Sequence, residues 1–478
     1  MAKKKKKLGI EVSFVDSESA EGVTGSCIYI KTPKNEILLD VGLHQTNSNY
    51  KDFLVNRRTT KEFKPKNLTY IFISHNHIDH IGRLPLMYKR GCNAQVIVSE
   101  NSMPILRLME LDCAKINERD AEQFSTQYKK SYDPLYGTED VYRMLDHVKE
   151  FPVNQKFFLD DEIAFELIPN AHLLSSVQIK LYITVNNVTK TLLYTGDIGS
   201  DKIHNPFVGK FDKVKSSNVV IAECTYGDRM KQKKTTKERK NDLSKLRTII
   251  DKQVKEMNGK VIIPTFAQSR SQTIAYFIWQ MYKDESWQPK LYIDSPLAIE
   301  IFRWYNKLLP DEEREEFNQL MDWENLNFLE TPEESKAVMK SSEPCVVLAT
   351  SGFCMVGRSR TWLKRYVGDI NSTVLFVGYA SEDSLAGILK NPKTKNVNID
   401  GKNYPCRCSI YNLKSFSGHT DYDGLMNYYT SINTEKIILH HGSKEAKETF
   451  AKNLKEELEK HNKTTKVVCS NKSLKFSL

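Results

Sequence analysis

Short runs of apolar, mainly β-branched residues recur along the chain and predict buried strands. They lie at residues 36–39, 70–73, 192–194, 219–221, 261–263, 346–348, 374–377 and 437–439. Stretches with helical spacing lie between several of them. From about residue 445 to 460, for example, Ala446, Phe450, Leu454 and Leu458 fall four positions apart and form one apolar helix face. This alternation of strands and helices is typical of an α/β fold.

Polar residues of the types that bind metals stand where several of these apolar runs stop. They are Asp40, His75, Asp197, Glu223 and His441. Binding sites in open α/β sheets form beyond the carboxyl ends of the strands. The pattern therefore predicts that these side chains belong to a site and are more than parts of the scaffold.

Length and composition narrow the class of protein. The chain has 478 residues, and a single hydrophobic core stops growing at about 250–300 residues, so two domains are expected. A content of 40% hydrophobic and 27% charged residues is that of a globular protein, and no apolar run approaches the roughly 20 residues of a membrane helix. The sequence therefore predicts no membrane association.

The N-terminus and the cysteines bear on the compartment. Residues 1–7 (MAKKKKK) are followed by no apolar stretch of the kind that an export signal needs. The chain has 9 cysteines, scattered and odd in number, which suits a reducing compartment better than a disulfide framework. We expect a cytoplasmic protein.

A net charge of +10 favours a polyanionic partner, because lysine and arginine that neutralise phosphates release counterions. The densest basic run covers residues 229–240 (RMKQKKTTKERK). Charge alone fits a solvated lysine-rich surface equally well. The choice between the two readings depends on the motifs.

The segment 74–80 (SHNHIDH) follows a predicted strand and holds three of the 11 histidines in the chain together with an aspartate. Imidazole and carboxylate groups are the usual zinc ligands. So dense a cluster can serve two ions, with His75 and His77 on one and Asp79 and His80 on the other.

This segment resembles the HxHxDH motif of the metallo-β-lactamase superfamily, and the resemblance implies further ligands in chain order. His172 lies in residues 168–176 (IPNAHLLSS), which are similar to the GHxxGS segment, with Ala171 and Ser175 in place of the usual glycines. Asp197 ends the TGD motif and is expected to bridge both metals. Asp40 matches the aspartate that orients the ligand loop by hydrogen bonding.

Beyond Asp197 the chain resembles the β-CASP subgroup, the nucleic-acid-processing branch of this superfamily. The similar segments are 222–229 (AECTYGDR), 263–272 (IPTFAQSRSQ), 350–359 (TSGFCMVGRS), 376–379 (FVGY), 415–422 (SFSGHTDY) and 441–442 (HG). Residues 383–387 (DSLAG) depart from the family's GTLGR, which puts a phosphate contact by that loop in doubt.

The resemblance implies an α/β fold, a metallo-β-lactamase αββα sandwich with an inserted β-CASP α/β domain. Residues 1–205 and 395–478 are expected to form the two parts of the sandwich, and residues 206–394 the insertion. The last expected ligand, His441, lies far along the chain from Asp197 and must reach the same metals. The chain must therefore leave the first domain and return to it.

The resemblance also assigns roles within the site. It implies two zinc ions, with Asp197 shared between them. One ion is bound by His75, His77 and His172, and the other by Asp79, His80 and His441. His419 would be the general acid, and Glu223 would hydrogen-bond to it. Asp79 and Asp40 complete the catalytic set, and Arg270, Ser351 and Ser417 are candidates for substrate binding.

The function implied is a zinc-dependent endoribonuclease that hydrolyses single-stranded RNA with a hydroxide that bridges the metals. The motif set is most similar to the endonuclease subunit of the pre-mRNA 3′-end cleavage factor and its prokaryotic relatives. The alternatives are a 5′-3′ exoribonuclease, which usually has a further C-terminal domain, and a DNA nuclease, which usually has valine where this chain has His441. A scaffold paralogue is disfavoured because every expected ligand is present. Assembly as a homodimer or within an RNA-processing complex is left open.

Overall fold

The computed structural model describes residues 8–15, 21–46, 48–378, 380–382 and 384–478. The lysine run before residue 8, Tyr379 and Asp383, on which some sequence inferences rest, lie outside the described residues. All eight predicted strands are confirmed, as is the amphipathic helix, which covers Lys444–Lys460. The chain divides into two compact units.

The first unit takes in the described parts of Met1–Asp201, Gly209–Gln232 and His419–Leu478. One of its sheets has the spatial order Lys475–Ser477, Glu11–Phe14, Ile28–Lys31, Glu36–Leu39, Tyr70–Phe72, Gln95–Ser99 and Val148–Phe151. The other has the order Lys466–Cys469, Lys436–His440, Val219–Glu223, Val188–Tyr194, Val177–Val185, Ile163–Pro169 and Lys156–Phe158. Its helices are Asn49–Asn56, Pro65–Asn67 (3₁₀), Ile78–Ile81, Leu84–Lys89, Met103–Tyr128, Thr138–Leu145, Tyr422–Ser431 and Lys444–Lys460.

The core of the first unit lies between its two sheets. Side chains alternate along the strands, so that Leu192 and Tyr194 join a cluster with Ile28 and Phe72 of the other sheet. The intervening Leu193 points the other way and packs in a second cluster with residues of the last two helices, such as Phe450. Both faces of this sheet are therefore buried, one by the other sheet and one by helices.

The second unit takes in Lys202–Val208 and Lys233–Gly418. Its larger sheet has the order Leu326–Phe328, Leu291–Asp294, Cys345–Ala349, Lys260–Pro264, Ser372–Phe376 and Ser409–Asn412, and Asn396–Ile399 pairs with Lys402–Pro405. Its helices are Thr236–Ile250, Asp251–Glu256 (π), Arg270–Tyr282, Pro296–Leu308, Asp311–Met321, Pro332–Lys340, Gly357–Tyr366 and Leu385–Lys390. All the pairings in the larger sheet are parallel.

The limits of the two units differ from the boundaries after residues 205 and 394 that the sequence suggests. Val219–Glu223 pairs in parallel with Val188–Tyr194 and Lys436–His440, so it belongs to the first unit. Ser409–Asn412 pairs with Ser372–Phe376 and belongs to the second. The limits of the units are determined by strand pairing between residues that are far apart in the sequence. The functional assignment of the predicted segments 1–205, 206–394 and 395–478 stays a prediction.

To cross a bilayer, the helices of the described ranges would have to be long and predominantly apolar. None of them combines the length and the apolar composition needed to cross a membrane.

Candidate metal centre

Asp40 organises the histidine-rich loop from the end of the strand Glu36–Leu39. Its Oδ1 accepts a hydrogen bond from the backbone N–H of Ser74 at 2.7 Å, and its Oδ2 accepts one from the Ser74 hydroxyl at 2.7 Å. The Tyr194 hydroxyl donates to the same Oδ2 at 2.7 Å. The carboxylate is fully buried. It therefore fixes the loop that carries His75 and its neighbours.

Two of the histidines have one ring nitrogen occupied, which directs the other nitrogen into the site. Nδ1 of His80 lies 2.7 Å from Oδ2 of Asp40, and Nδ1 of His75 lies 3.0 Å from the Ser74 hydroxyl. Each ring therefore presents Nε2. Partners of this kind set the tautomer and the orientation of a metal ligand.

The first group of potential ligands consists of His75, His77, His172 and Asp197, whose ligand atoms all lie within 4.8 Å of one another. Nε2 of His172 is 3.3 Å from Nδ1 of His77 and 3.7 Å from Oδ2 of Asp197. Nε2 of His75 is 3.6 Å from the same Oδ2. Three imidazoles and one carboxylate thus converge on one point.

The second group consists of Asp79, His80 and His441, again within 4.8 Å. Nε2 of His441 is 3.3 Å from Nε2 of His80 and 3.4 Å from Oδ2 of Asp79. Asp197 reaches this group too, because its Oδ2 is 3.5 Å from Nε2 of His80 and its Oδ1 is 3.1 Å from Nδ1 of His441. Asp197 therefore lies between the two groups, and its role as a shared ligand stays a prediction.

The residues fit a pair of metal ions. Burial lowers the pKa of His75 and His172 well below the ordinary value and that of His77 to about 4, so these imidazoles are neutral, which is the form that binds metal. Nε2 of His75 is buried and makes no hydrogen bond to any described residue. An unsatisfied buried nitrogen is costly unless something binds it. The nitrogen-rich donor set is suited to zinc.

His419 and Glu223 lie beside this centre. Nδ1 of His419 is 3.1 Å from Oε1 of Glu223, and Nε2 of His419 is 4.0 Å from Oδ2 of Asp197. Glu223 is held in turn by the backbone N–H groups of Ile198 and Thr225, at 2.9 and 3.0 Å. Burial lowers the pKa of His419, but the carboxylates of Glu223, Asp197 and Asp79 together more than offset this, with Glu223 contributing most, and the pKa is raised above the ordinary value. The ring is thereby kept ready to carry a proton.

Comparison with known families matches three models in chain order. They are the metallo-β-lactamase superfamily over residues 20–204, the β-CASP domain over 271–389, and the Zn-dependent metallo-hydrolase RNA specificity domain over 403–465. The chain belongs to the β-CASP branch of the metallo-β-lactamase superfamily. The predicted family and αββα fold class with its β-CASP insertion are thus confirmed, and so is the predicted enzyme class of metal-dependent hydrolase.

Several curated relatives are similar over nearly the whole chain. "Ribonuclease TTHA0252" of Thermus thermophilus is 27% identical, covering 89% of this chain and 92% of the relative. "Transcription termination factor FttA" of Methanocaldococcus jannaschii is 26% identical over 91% of this chain and 67% of its own length. "Endoribonuclease ysh1" of Schizosaccharomyces pombe is 25% identical over 90% of this chain and 54% of its own length.

A solved structure described as a protein of unknown function from Enterococcus faecalis shares the fold. Its TM-score is 0.51 at 10% sequence identity, and the match covers 98% of this chain and 100% of that one. At this identity the likeness concerns the fold alone.

The backbone around His172 shows why glycines are usual in this segment of β-CASP and related enzymes. Ala171 has φ 57° and Ser175 has φ 64°, both in the left-handed region. Side chains with a Cβ adopt this region at a cost that glycine avoids. The backbone conformation is nevertheless kept, and the Ser176 hydroxyl accepts a hydrogen bond from the His172 N–H at 3.2 Å.

Sequence reasoning missed three residues that support the β-CASP centre. Ser74 and Tyr194 donate hydrogen bonds to Asp40, and the Thr225 hydroxyl lies 3.2 Å from Nδ1 of His441. All three adjoin motif positions: Ser74 precedes HxHxDH, Tyr194 precedes TGD, and Thr225 lies within 222–229. The feature that could have identified these three residues in the sequence is a hydroxyl side chain beside or within a site motif.

The three residues predicted to bind substrate belong to the second unit. The guanidinium of Arg270 donates to the carbonyl oxygen of Phe416. The Ser351 hydroxyl donates to the carbonyl of Val356 at 3.2 Å, and the carbonyl of Ser417 accepts a bond from Lys234 at 2.8 Å. Substrate binding by these residues stays a prediction, but Arg270 also has a contact within the protein that the sequence did not suggest.

Proposed function

We propose that this chain is a zinc-dependent endoribonuclease that hydrolyses phosphodiester bonds in single-stranded RNA. The proposal is carried by the arrangement in which two groups of potential ligands share Asp197 and adjoin a histidine that is paired with a buried carboxylate. Two-metal phosphodiesterases need such a shared carboxylate and a proton donor for the leaving oxygen.

The ligands would be divided between two zinc ions as the sequence predicts. His75, His77 and His172 would hold one ion, Asp79, His80 and His441 the other, and Asp197 both. Zinc bound there would supply a water of lowered pKa and positive charge beside the phosphate oxygens. Among the protein groups, Asp40 would orient His80 and leave its Nε2 to face the metal.

His419 would act as the general acid. In its protonated form, Nδ1–H donates to Glu223 and leaves Nε2–H for the substrate. When the oxygen of water bonds to phosphorus, that water releases one proton to solvent. As the bond to the leaving oxygen breaks, Nε2 gives its proton to the leaving oxygen, and His419 then recovers a proton from solvent. Such proton transfer contributes about 10²- to 10⁴-fold in rate. Two backbone N–H groups donate to Glu223 and hold it in place.

RNA is the proposed substrate because residues 403–465 match an RNA specificity domain and the relatives include proteins named as ribonucleases. Endonucleolytic cutting is preferred because the Schizosaccharomyces pombe relative is named an endoribonuclease, and 5′-3′ exonucleolytic cutting is the alternative. Action in the cytoplasm, alone, as a homodimer or within an RNA-processing complex, is part of the same proposal.

A circular RNA tests the mode of cleavage, because it has no end from which an exonuclease could start. Zinc-loaded protein is incubated with a circular RNA, with the same RNA in linear 5′-monophosphate form, and with single-stranded DNA of identical sequence. We expect cleavage of both RNA forms and little of the DNA. The His419→Gln variant, with unchanged zinc content, is the matched inactive control.

The other outcomes are distinct from one another. Degradation of the linear form alone would replace the endonuclease with an exonuclease. Preferred cleavage of DNA would indicate a DNA nuclease. Fewer than two zinc ions per chain under zinc-replete conditions would contradict the proposed centre.

A further inference from the structure

Three cationic side chains of the second unit are buried around one short segment of backbone. They are Lys234, Arg239 and Arg270, which are 8%, 6% and 7% exposed; together they are called the cationic cradle. Lys234 and Arg239 belong to the basic run 229–240, whose composition suggested a solvated or RNA-binding surface. Their burial shows that two of its charges serve the interior of the protein.

The cradle donates to three consecutive carbonyl groups. Arg239 Nη2 donates to the carbonyl oxygen of Ser415 at 2.7 Å, Arg270 Nη1 to that of Phe416, and Lys234 Nζ to that of Ser417 at 2.8 Å. Hydrogen bonds from charged donors are roughly twice as strong as neutral ones. Three of them on successive residues therefore fix the path of this segment.

Other contacts complete the restraint. The backbone N–H of Ser415 donates to Oδ2 of Asp242 at 2.9 Å, and the guanidinium of Arg239 lies 5.1 Å from the centre of the Phe416 ring. Asn205 accepts a second bond from Arg239 at 2.8 Å and donates to the carbonyl of Ser417 at 3.1 Å. The segment is thus held at its amide, its carbonyls and its aromatic ring.

The segment that the cradle holds leads directly to a residue of the proposed active site. Ser417 is followed by Gly418 and then by His419, the general acid of the proposed function. A glycine leaves the backbone free unless its neighbours are fixed. A general acid must lie within hydrogen-bond reach of the leaving oxygen, and a displacement of about 1 Å can cost 10²-fold in rate.

We propose that Lys234, Arg239 and Arg270 are positioning residues that fix the segment leading to His419 and so set the reach of the acid. This inference rests on the proposed function. It predicts that loss of a cradle side chain weakens proton donation while leaving the metal centre and RNA binding intact. None of the three is required to touch the substrate.

The test compares two substrates that differ in one atom. The first is a single-stranded RNA; the second has sulfur in place of the leaving oxygen at the bond that wild-type protein cuts. A thiolate leaves without a proton far more readily than an alkoxide, so the second substrate needs little help from an acid. The variants are Arg239→Met and Lys234→Met, which keep much of the apolar packing, Arg239→Lys, which keeps the charge, and Lys240→Met, an exposed control from the same run.

We expect kcat on the normal RNA to fall by at least about tenfold in Arg239→Met and Lys234→Met, with KM and zinc content near wild type. On the sulfur substrate the same variants should stay within about twofold of wild type. Arg239→Lys should recover part of the loss, and Lys240→Met should show none.

Several results would overturn the inference. Equal losses on both substrates, or loss of zinc, would show that the cradle supports the fold or the metals instead of the acid. If both methionine variants are as active as the wild type, the cradle does not position the acid. If Arg239→Met fails to fold, Lys234→Met, which removes a single donor, decides the question. Wild-type protein that cuts no RNA would overturn the proposed function, and this inference with it.

Discussion

The free energy of unfolding is expected to depend on pH through one buried side chain, that of Glu110. It lies on the helix Met103–Tyr128 and is fully buried. The Tyr136 hydroxyl lies 2.7 Å from its Oε2 and 2.9 Å from the carbonyl oxygen of Gly82. One hydroxyl has one proton, so Tyr136 divides its donor between the Gly82 carbonyl and the Glu110 carboxyl group and cannot fully compensate a buried carboxylate.

The magnitude follows from the pKa of this carboxyl group. Burial raises it from 4.5 to about 8, and the hydrogen bond with Tyr136 offsets only part of this. The folded protein thus binds a proton that the unfolded chain releases between these two values. Its contribution to stability is complete below pH 4.5 and is lost as the pH rises to about 8, at up to about 1.4 kcal/mol per pH unit. Between pH 6 and pH 8 the loss amounts to roughly 2 kcal/mol.

The perturbation is Glu110→Gln, because an amide keeps the shape and can donate to Tyr136 but does not titrate. Urea unfolding of zinc-saturated protein is followed by fluorescence at pH 6, 7 and 8 for wild type, Glu110→Gln and Glu122→Gln, an exposed glutamate on the same helix. The free energy of unfolding of Glu110→Gln relative to wild type should grow by roughly 2 kcal/mol from pH 6 to pH 8. Glu122→Gln should follow the wild type. A difference that stays constant within about 0.5 kcal/mol over this range would refute the reasoning.

Three further predictions concern the centre itself. His419→Ala should keep its full zinc content by elemental analysis and lose about 10²- to 10⁴-fold in RNA turnover; loss of zinc would instead make His419 a ligand. Asp40→Asn should weaken zinc binding about 10- to 100-fold in competition with a chromophoric chelator, and unchanged affinity would contradict its orienting role. Ala171→Gly should raise the free energy of unfolding by about 0.5–1 kcal/mol, because φ 57° suits glycine. A lower unfolding midpoint would show that the left-handed backbone is not strained there.

Much of the fold could be predicted because its signals are local. Each of the eight strands predicted from the sequence is an apolar run, and a run such as residues 261–263 can be recognised because both faces of the strand are buried. Four of the candidate ligands could be proposed for a related reason, since His75, His77, Asp79 and His80 lie within one short segment. His172, Asp197 and His441 could be found only through the resemblance to a family, because isolated histidines and aspartates have many uses.

What could not be predicted depends on partners that are distant in sequence. The units divide at positions set by pairings such as Val219–Glu223 with Lys436–His440, which no local pattern specifies. Lys234 and Arg239 looked like surface residues, because their burial depends on carbonyl groups about 180 positions away. Nothing near Glu110 in the sequence indicates its contact with Tyr136, which lies 26 positions further along the chain.

The separation of the ligands along the chain has a consequence for biosynthesis. His80 and His441 lie 361 positions apart. The strand Lys436–His440, which directly precedes His441, pairs with Val219–Glu223. A ribosome that has translated only the first four hundred residues has made six of the seven proposed ligands but neither that strand nor the proposed acid. The proposed centre therefore cannot assemble until the strand Lys436–His440 and the residue that follows it have been synthesised.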